Sequence, residues 1–527
     1  MAKNSINLKN QIMKNNNFNT PLLLFIIVLI NLPSALPGQI YFHEKLDFRN
    51  YLQEGPIWNR DELKGYYTCN KIDNNGSGTE YELKLLDLDF NLLGSDKFSV
   101  SKDAILLQVI LLGDQIVVKF GDPKKRLFNF RVYNQEAKLL FKKEREADKW
   151  EFQAVGGAKV LTAPITTSLY PLSDGSFLEF CVKAKKNRIG YEIKNFSQDL
   201  SKDKWSFLSN PDQKQDVYAA YLGGNEDLLL ILTSKSEVFR RVLGVSMYLI
   251  ALNPENGEKV FETKITDDKF EYVPTKAFFK DDGTQKISLV GQYFERGEKR
   301  YHDYKSKGLF YKTFDYEGNE INDSKINWEK DVQKHSFSLE GKEKLFLHDI
   351  FENEEGEMFV IGEVYSNERL HRYQGSDVSK TRIDVSPERL VTFHYSSKIE
   401  LIAVHEIQKE GNHKFFHTNP LFSINKGMVI KAGGGFDYVL THLHEKDNSF
   451  TIAYLDFKEP DGEKRKKYLL GLSTYSNGEF SNKEVDLNAK NHNELPRVLP
   501  GKPGYIAVFD YDENTKILDT RLERLRE

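Results

Sequence analysis

Asn225-Glu-Asp-Leu-Leu-Leu-Ile-Leu232 is a polar turn that runs straight into five apolar residues. No polar residue alternates within that run, so a strand formed there is covered on both faces. The same pattern recurs along the chain, in Gly113-Asp-Gln-Ile-Val-Val-Lys-Phe120, Ser173-Asp-Gly-Ser-Phe-Leu-Glu-Phe180 and Asp282-Gly-Thr-Gln-Lys-Ile-Ser-Leu-Val-Gly291. It continues in Glu355-Gly-Glu-Met-Phe-Val-Ile-Gly362, Asn425-Lys-Gly-Met-Val-Ile-Lys431 and Pro503-Gly-Tyr-Ile-Ala-Val-Phe509. A second element follows each copy, an apolar strand that ends in a polar turn and resumes, as in Met247-Tyr-Leu-Ile-Ala-Leu-Asn-Pro-Glu-Asn-Gly257 and Leu309-Phe-Tyr-Lys-Thr-Phe-Asp-Tyr-Glu-Gly318. Asn, Asp and Gly at these joints supply the turn chemistry that antiparallel hairpins require.

Each unit therefore reads as an antiparallel meander, repeated at a loose spacing of roughly 65 residues. No window of the chain keeps an apolar stripe at helical spacing between caps. One meander cannot cover both of its own faces. Stacking meanders face to face around an axis does so, and it leaves few strand edges exposed. The expected fold is all-β, a β-propeller of about seven blades, with six to eight allowed. The alternative is tandem β-sandwiches, which strand spacing alone does not separate from a propeller. The units are an incomplete start at about 66–100, six fuller units from near 104, 165, 215, 270, 344 and 415, and a closing piece at about 494–525. The strand-like Ile40-Tyr-Phe-His-Glu-Lys-Leu-Asp-Phe48 is a candidate to complete one blade.

By these repeats, residues 60–525 resemble the β-propeller superfamily, and within it the uncharacterised exported bacterial propeller-like proteins. The Trp-Asp dipeptide and the kelch glycine pair are missing. The sialidase-type box is approached only at Ser173-Asp-Gly-Ser-Phe177, with the wrong spacing and no Trp. The resemblance therefore implies a fold and no catalytic residues.

Lys3, Lys9 and Lys14 precede the apolar stretch Leu22–Ile30, and no acid precedes it. A basic start followed by an apolar stretch too short to span a bilayer predicts a secretory signal peptide over residues 1–38. Export to the periplasm or beyond is then expected, with a single domain over 39–527 starting at Gln39. Met13 followed by Lys14 is an equally ordinary start. The chain carries 74 Lys and Arg against 78 Asp and Glu, a net charge of −4, and loss of the three lysines leaves −7. Such a balance gives no reason to expect a nucleic-acid partner. No later run is apolar enough to span a membrane. Only two cysteines are present, Cys69 and Cys181; export would allow a disulfide between them, and their apolar contexts favour buried unpaired thiols.

Six of the twelve histidines fall between His394 and His444. His442 and His444 stand two apart, so on a strand both rings share a face, as a metal site would use them. Without a third ligand the metal signal is weak, the favoured reading is a polar strand face on an outer blade edge, and no metal or other cofactor is assigned. Asp87-Leu-Asp89 and Asp510-Tyr-Asp-Glu-Asn514 lack the glycine and terminal Glu of a calcium loop. Lys124-Lys-Arg126 and Lys464-Arg-Lys-Lys467 read as hairpin tips, and Gly433-Gly-Gly435 as a tight turn. The polar insertion Ser366–Arg389 is a candidate loop over one end of the ring. Neither the nucleophile elbow of hydrolases nor a His-Glu-x-x-His motif occurs. The expected function is a non-catalytic binding or scaffold role toward a protein or glycan. The alternative is a hydrolase, carbohydrate-active or other, with carboxylates in the central funnel.

Overall fold

The computed structural model describes residues 40–525 except 46–50, 60–61, 76–77, 148–150, 152–168, 186–187, 199–201, 210–214, 237–245, 281–283, 297–305, 373–380, 412–414, 418–426, 428–429, 432–434, 445–447, 459–466, 488–495 and 513. The expected signal peptide lies outside these residues. Residues 40–527 form one compact unit.

The described residues form eight antiparallel sheets, seven of them taken up in strand order from the inside of the ring outward. Blades one to seven occupy residues 51–100, 105–146, 169–208, 216–264, 270–327, 344–408 and 438–486. Blade eight takes its three inner strands from 497–524 and its outermost strand from Ile40–Lys45, which pairs with Ile517–Arg524. First strands of neighbouring blades touch one another around the ring. The Tyr170 and Tyr221 rings, 4.8 Å apart, join blades three and four, and His348 stacked on Tyr438 at 4.4 Å joins six and seven. The protein is an eight-bladed β-propeller.

The eighth blade has a plain origin. The incomplete start is a full blade, because Tyr51–Asn59 pairs with Glu62–Asn75 although Pro56 breaks its apolar pattern. The closing piece is completed by the N-terminal strand instead of by blade one.

One turn recurs between the third and fourth strands. Asp87, Asn134, Asn253 and Asp315 each accept the backbone N–H groups two and three or four residues ahead through one side-chain oxygen. The Ser396 hydroxyl fills the same place in blade six. A residue with positive φ follows in each: Phe90, Ala137, Gly257, Gly318 and Ile399. The side chain supplies the acceptor that lets the backbone reverse without losing hydrogen bonds.

Between blades lie apolar clusters rich in aromatic rings, such as Tyr81, Phe98, Phe120 and Tyr133 between blades one and two. Side chains also latch blade to blade. Gln108 exchanges two hydrogen bonds with the backbone of Leu169, Gln292 donates to Leu345 O, and the Tyr66 hydroxyl donates to Pro500 O. Glu179, fully buried, accepts from Lys119 at 2.6 Å and Arg145 at 2.8 Å, which ties blade two to blade three. Cys69 and Cys181 are buried free thiols, and burial pushes the Cys69 thiol up to about 12. Among the described residues, no helix is long and apolar enough to cross a membrane.

Candidate functional site

Each blade runs as a meander from the inside outward, so its connections sort by end. The first-to-second and third-to-fourth turns lie at one end of the ring, and the second-to-third turns and the crossings between blades lie at the other. The first end is tight, and its longest turns are the six residues 197–202 and 253–258. At the second end the flanking strands stop further apart in sequence, at Ser236 and Ser246, Glu295 and Gly308, Arg372 and Thr381, and Lys458 and Lys467 within blades, and at Glu146 and Leu169, Asn327 and Lys344, and Gln408 and Tyr438 between them. Long connections on a rigid frame are where binding residues concentrate.

Two of these long features meet in blade six. The insertion expected as a loop is a hairpin: Met358–Arg372 and Thr381–Tyr395 pair along their length. The crossing 409–437 adds a short strand, Phe415–His417, against the arm Ile383–Val385 of that hairpin. The same crossing packs Ile430 and Phe436 with Phe346, Tyr365 and Val385.

Glu363 is the hub beneath this structure. Its side chain is fully buried between blades six and seven. Oε1 accepts from Lys409 Nζ at 2.8 Å and from the Asp437 amide at 3.3 Å. Oε2 meets His348 Nε2 at 3.1 Å and the Tyr438 amide at 3.2 Å. Lys409 also donates to Asp437 Oδ2 at 2.6 Å, so one buried ammonium joins the first and last residues of the crossing. Asp456 holds the same strand end by accepting the amides of Glu410 and Gly411, both at 2.9 Å.

Burial opposes the charge on Glu363, but Lys409 and His348 overcome it and hold the carboxyl well below its usual range. Burial dominates at Asp437 and pushes its carboxyl up to about 7, against the pull of Lys409. Burial likewise drives His348 down to about 4, so its ring is neutral at pH 7 and keeps one nitrogen, Nδ1, buried without a partner. Beside it on the innermost strands stand Asp349, Lys276 and Thr441, with Lys431 from the crossing. The Asp349 carboxyl is raised by burial, against Lys276 and Lys431.

The histidine pair lies on Tyr438–His444, the innermost strand of blade seven, not on an outer edge. The two rings share a face, as the spacing predicts, with centroids 4.8 Å apart. His442 Nε2 accepts the Gly504 amide, and His444 Nε2 bonds the Thr451 hydroxyl. No group of three or more His, Cys, Asp or Glu suited to a metal occurs among the described residues. His394 stacks on Phe359 and His405 on Phe480, both as packing rings. His413, like most of the Gly433–Gly435 run and Lys464–Lys466, lies outside the described residues. Asp87 is the turn acceptor described above, and Asp512 accepts the Asn514 amide in the same manner.

The hub was absent from the sequence reading. One signal for it exists: Glu363 is the only charge in Met358–Tyr365, a strand whose neighbours are buried. Two of its partners, Lys409 and Asp437, lie 46 and 74 residues further on, where no local pattern points to them.

No curated protein is significantly similar to the chain in sequence. Among solved structures it is similar to polysaccharide lyase Uly1, at 7% identity and a TM-score of 0.37 over 93% of this chain and 100% of that one. It is similar to prolyl oligopeptidase B from Galerina marginata at 9% identity and 0.38, over 88% of this chain and 55% of that one. A member of the duf4221 family from Bacteroides vulgatus aligns at 8% identity and 0.25, over 85% and 98%. At the level of sequence families the match is to one described only as a family of unknown function, DUF6770, and with residues 23–526 matched the chain belongs to it.

Proposed function

We propose that the protein is exported and acts as a non-catalytic binding or scaffold protein that presents its long-connection end to a protein or glycan. The observation that carries this reading is the asymmetry of the ring. Among the described strands, each pair separated by more than six residues ends at the same end of the ring, and the composite of hairpin and crossing there is anchored by a buried charge hub. The basic start and short apolar stretch of residues 1–38 support export, which N-terminal sequencing of the mature protein tests. Amine cross-linking in the intact cell tests the binding end. Partner cross-links are expected at Lys124, Lys307 and Lys431 of the long-connection end. Cross-links concentrated at Lys138, Lys202 and Lys398 of the tight end overturn the reading.

The hydrolase alternative keeps one observation in its favour. Glu271 and Asp349, on the innermost strands of blades five and six, both have carboxyls raised by burial, as a general acid requires. Turnover of chromogenic glycosides or esters that Asp349→Asn abolishes would establish it in place of the binding reading.

A further inference from the structure

We propose that the outer edge of blade two takes up an extended segment of a partner protein, rich in alternating apolar and acidic residues, as an added strand. The site lies at the tight end of the ring, apart from the surface proposed above, and does not rest on that reading.

The outermost strands share an irregularity. In blades one, two, four, five and six a bulge falls three residues past the positive-φ residue of the preceding turn, at Leu93, Leu140, Val260, Ile321 and Ile402. All five are aliphatic and between 44% and 53% exposed. A bulge re-aims the side chain it carries, here toward solvent. Packing does not demand an aliphatic residue at this place, since blade three carries the exposed Lys204 at its own bulge.

Blades one and two enlarge the feature into a patch. Leu92 precedes the first bulge, Leu139 and Phe141 flank the second, and all three are exposed. The two strands meet where Gly94 lies against Glu136, so closely that a Cβ on Gly94 would stand 1.9 Å from the Glu136 carbonyl oxygen. The Tyr133 hydroxyl donates to Asp96 at 3.0 Å across the same seam. Five of the twelve large apolar side chains exposed among the described residues thus stand on two adjoining strands. Apolar surface gathered in this way marks an interaction site, whereas single exposed side chains do not.

Three features choose the occupant. Leu139–Glu146 is the last strand of its sheet, so its outward N–H and C=O groups face no further strand. Five side chains present a few hundred Å², well short of the ~800 Å² per partner that a stable dimer buries. A single extended segment matches that area and completes the edge with main-chain hydrogen bonds. Charge then sets its composition. Lys138 and Lys142 bracket Leu139–Phe141, both exposed and without an ion pair among the described residues. The nearby Glu136 carboxylate is turned to the Asn134 side chain, from which it accepts at 2.6 Å. Acids between the apolar residues of the incoming strand would meet the two ammonium groups.

The test is fluorescence anisotropy of a short labelled peptide of alternating Val and Glu, titrated with the purified protein. Two control peptides accompany it, one with Lys in place of Glu and one methylated on alternate backbone nitrogens, which cannot complete a ladder. Binding of the Val-Glu peptide is expected, weakened about tenfold by Lys142→Glu through like-charge contact and about tenfold by Leu140→Ser through lost apolar contact. Val260→Ser on blade four should leave it unchanged. No binding, equal binding of either control peptide, or binding that Lys142→Glu and Leu140→Ser leave intact would overturn the proposal. Self-association in light scattering that Leu140→Ser abolishes would also overturn it, by assigning the edge to a second copy of the chain. In the cell, a tight-end cross-link confined to Lys138 would report this site, whereas the result that counts against the long-connection surface extends to Lys202 and Lys398 on blades three and six.

Discussion

Without Lys409, two buried carboxylates would share a site with no cation between them. Glu363 and Lys409 have fully buried side chains, and Asp437 is 7% exposed, so water cannot replace the ammonium. Lys409→Met is expected to lower stability by about 3–5 kcal/mol, the usual cost of breaking a buried pair from one side. Urea denaturation measures it, and adding Asp437→Asn should return part of the loss. Glu271 makes a separate prediction in pH. Burial raises its carboxyl to about 7, with Arg296 opposing. The folded state therefore holds a proton there that the unfolded chain releases above its ordinary value near 4.5, and stability from this group falls as pH rises from about 4.5 to about 7. Glu271→Gln removes that slope. Its melting temperature relative to wild type should climb across the window and level off above it, and a flat difference would show that Glu271 is not buried as described. Neither residue stands out in the sequence, since one Glu among 78 acids carries no mark of its surroundings.

The recurring turn was legible one level up, because its acceptor is fixed by residue type at a fixed place. Asp315 takes the amides of Glu317 at 3.1 Å and Asn319 at 2.7 Å, and Gly318 turns back with φ +85°. Asp315→Ala should cost about 1 kcal/mol, one exposed set of turn hydrogen bonds. Gly318→Val should cost more. Its Cβ would stand 2.5 Å from the Phe261 ring, and a β-branched residue resists positive φ. Thermal unfolding of the two variants checks the order. The dense second strands were legible for a related reason: cover on both faces writes itself as an unbroken apolar run, as in Leu228–Leu232. The hairpin of blade six was not. Its sequence over residues 366–389 is polar, and a polar stretch reads as a loop whether or not its backbone pairs.

The blade number turned on elements too short or too polar to show a pattern, the strand Tyr51–Asn59 and the distant partner Ile40–Lys45. Sequence reading located all eight units but could not see that the first and last stay separate, since pairing across the whole chain leaves no local trace. Removing Ile40–Lys45 should leave Ile517–Arg524 as a bare edge, lower the melting temperature and promote association through that edge. Light scattering during size-exclusion chromatography would detect it, and an unchanged monomer of unchanged stability would deny the strand its role in closure. The seam also sets an order of events. A ribosome makes Ile40–Lys45 before any other strand of the ring and Ile517–Arg524 after all the rest, so the earliest strand waits unpaired until synthesis is nearly complete. Seven blades can form while the chain lengthens. Closure of the eighth depends on the longest-range strand pairing among the described residues, which makes it the natural slow step of folding and the first pairing exposed when a truncated chain is released early.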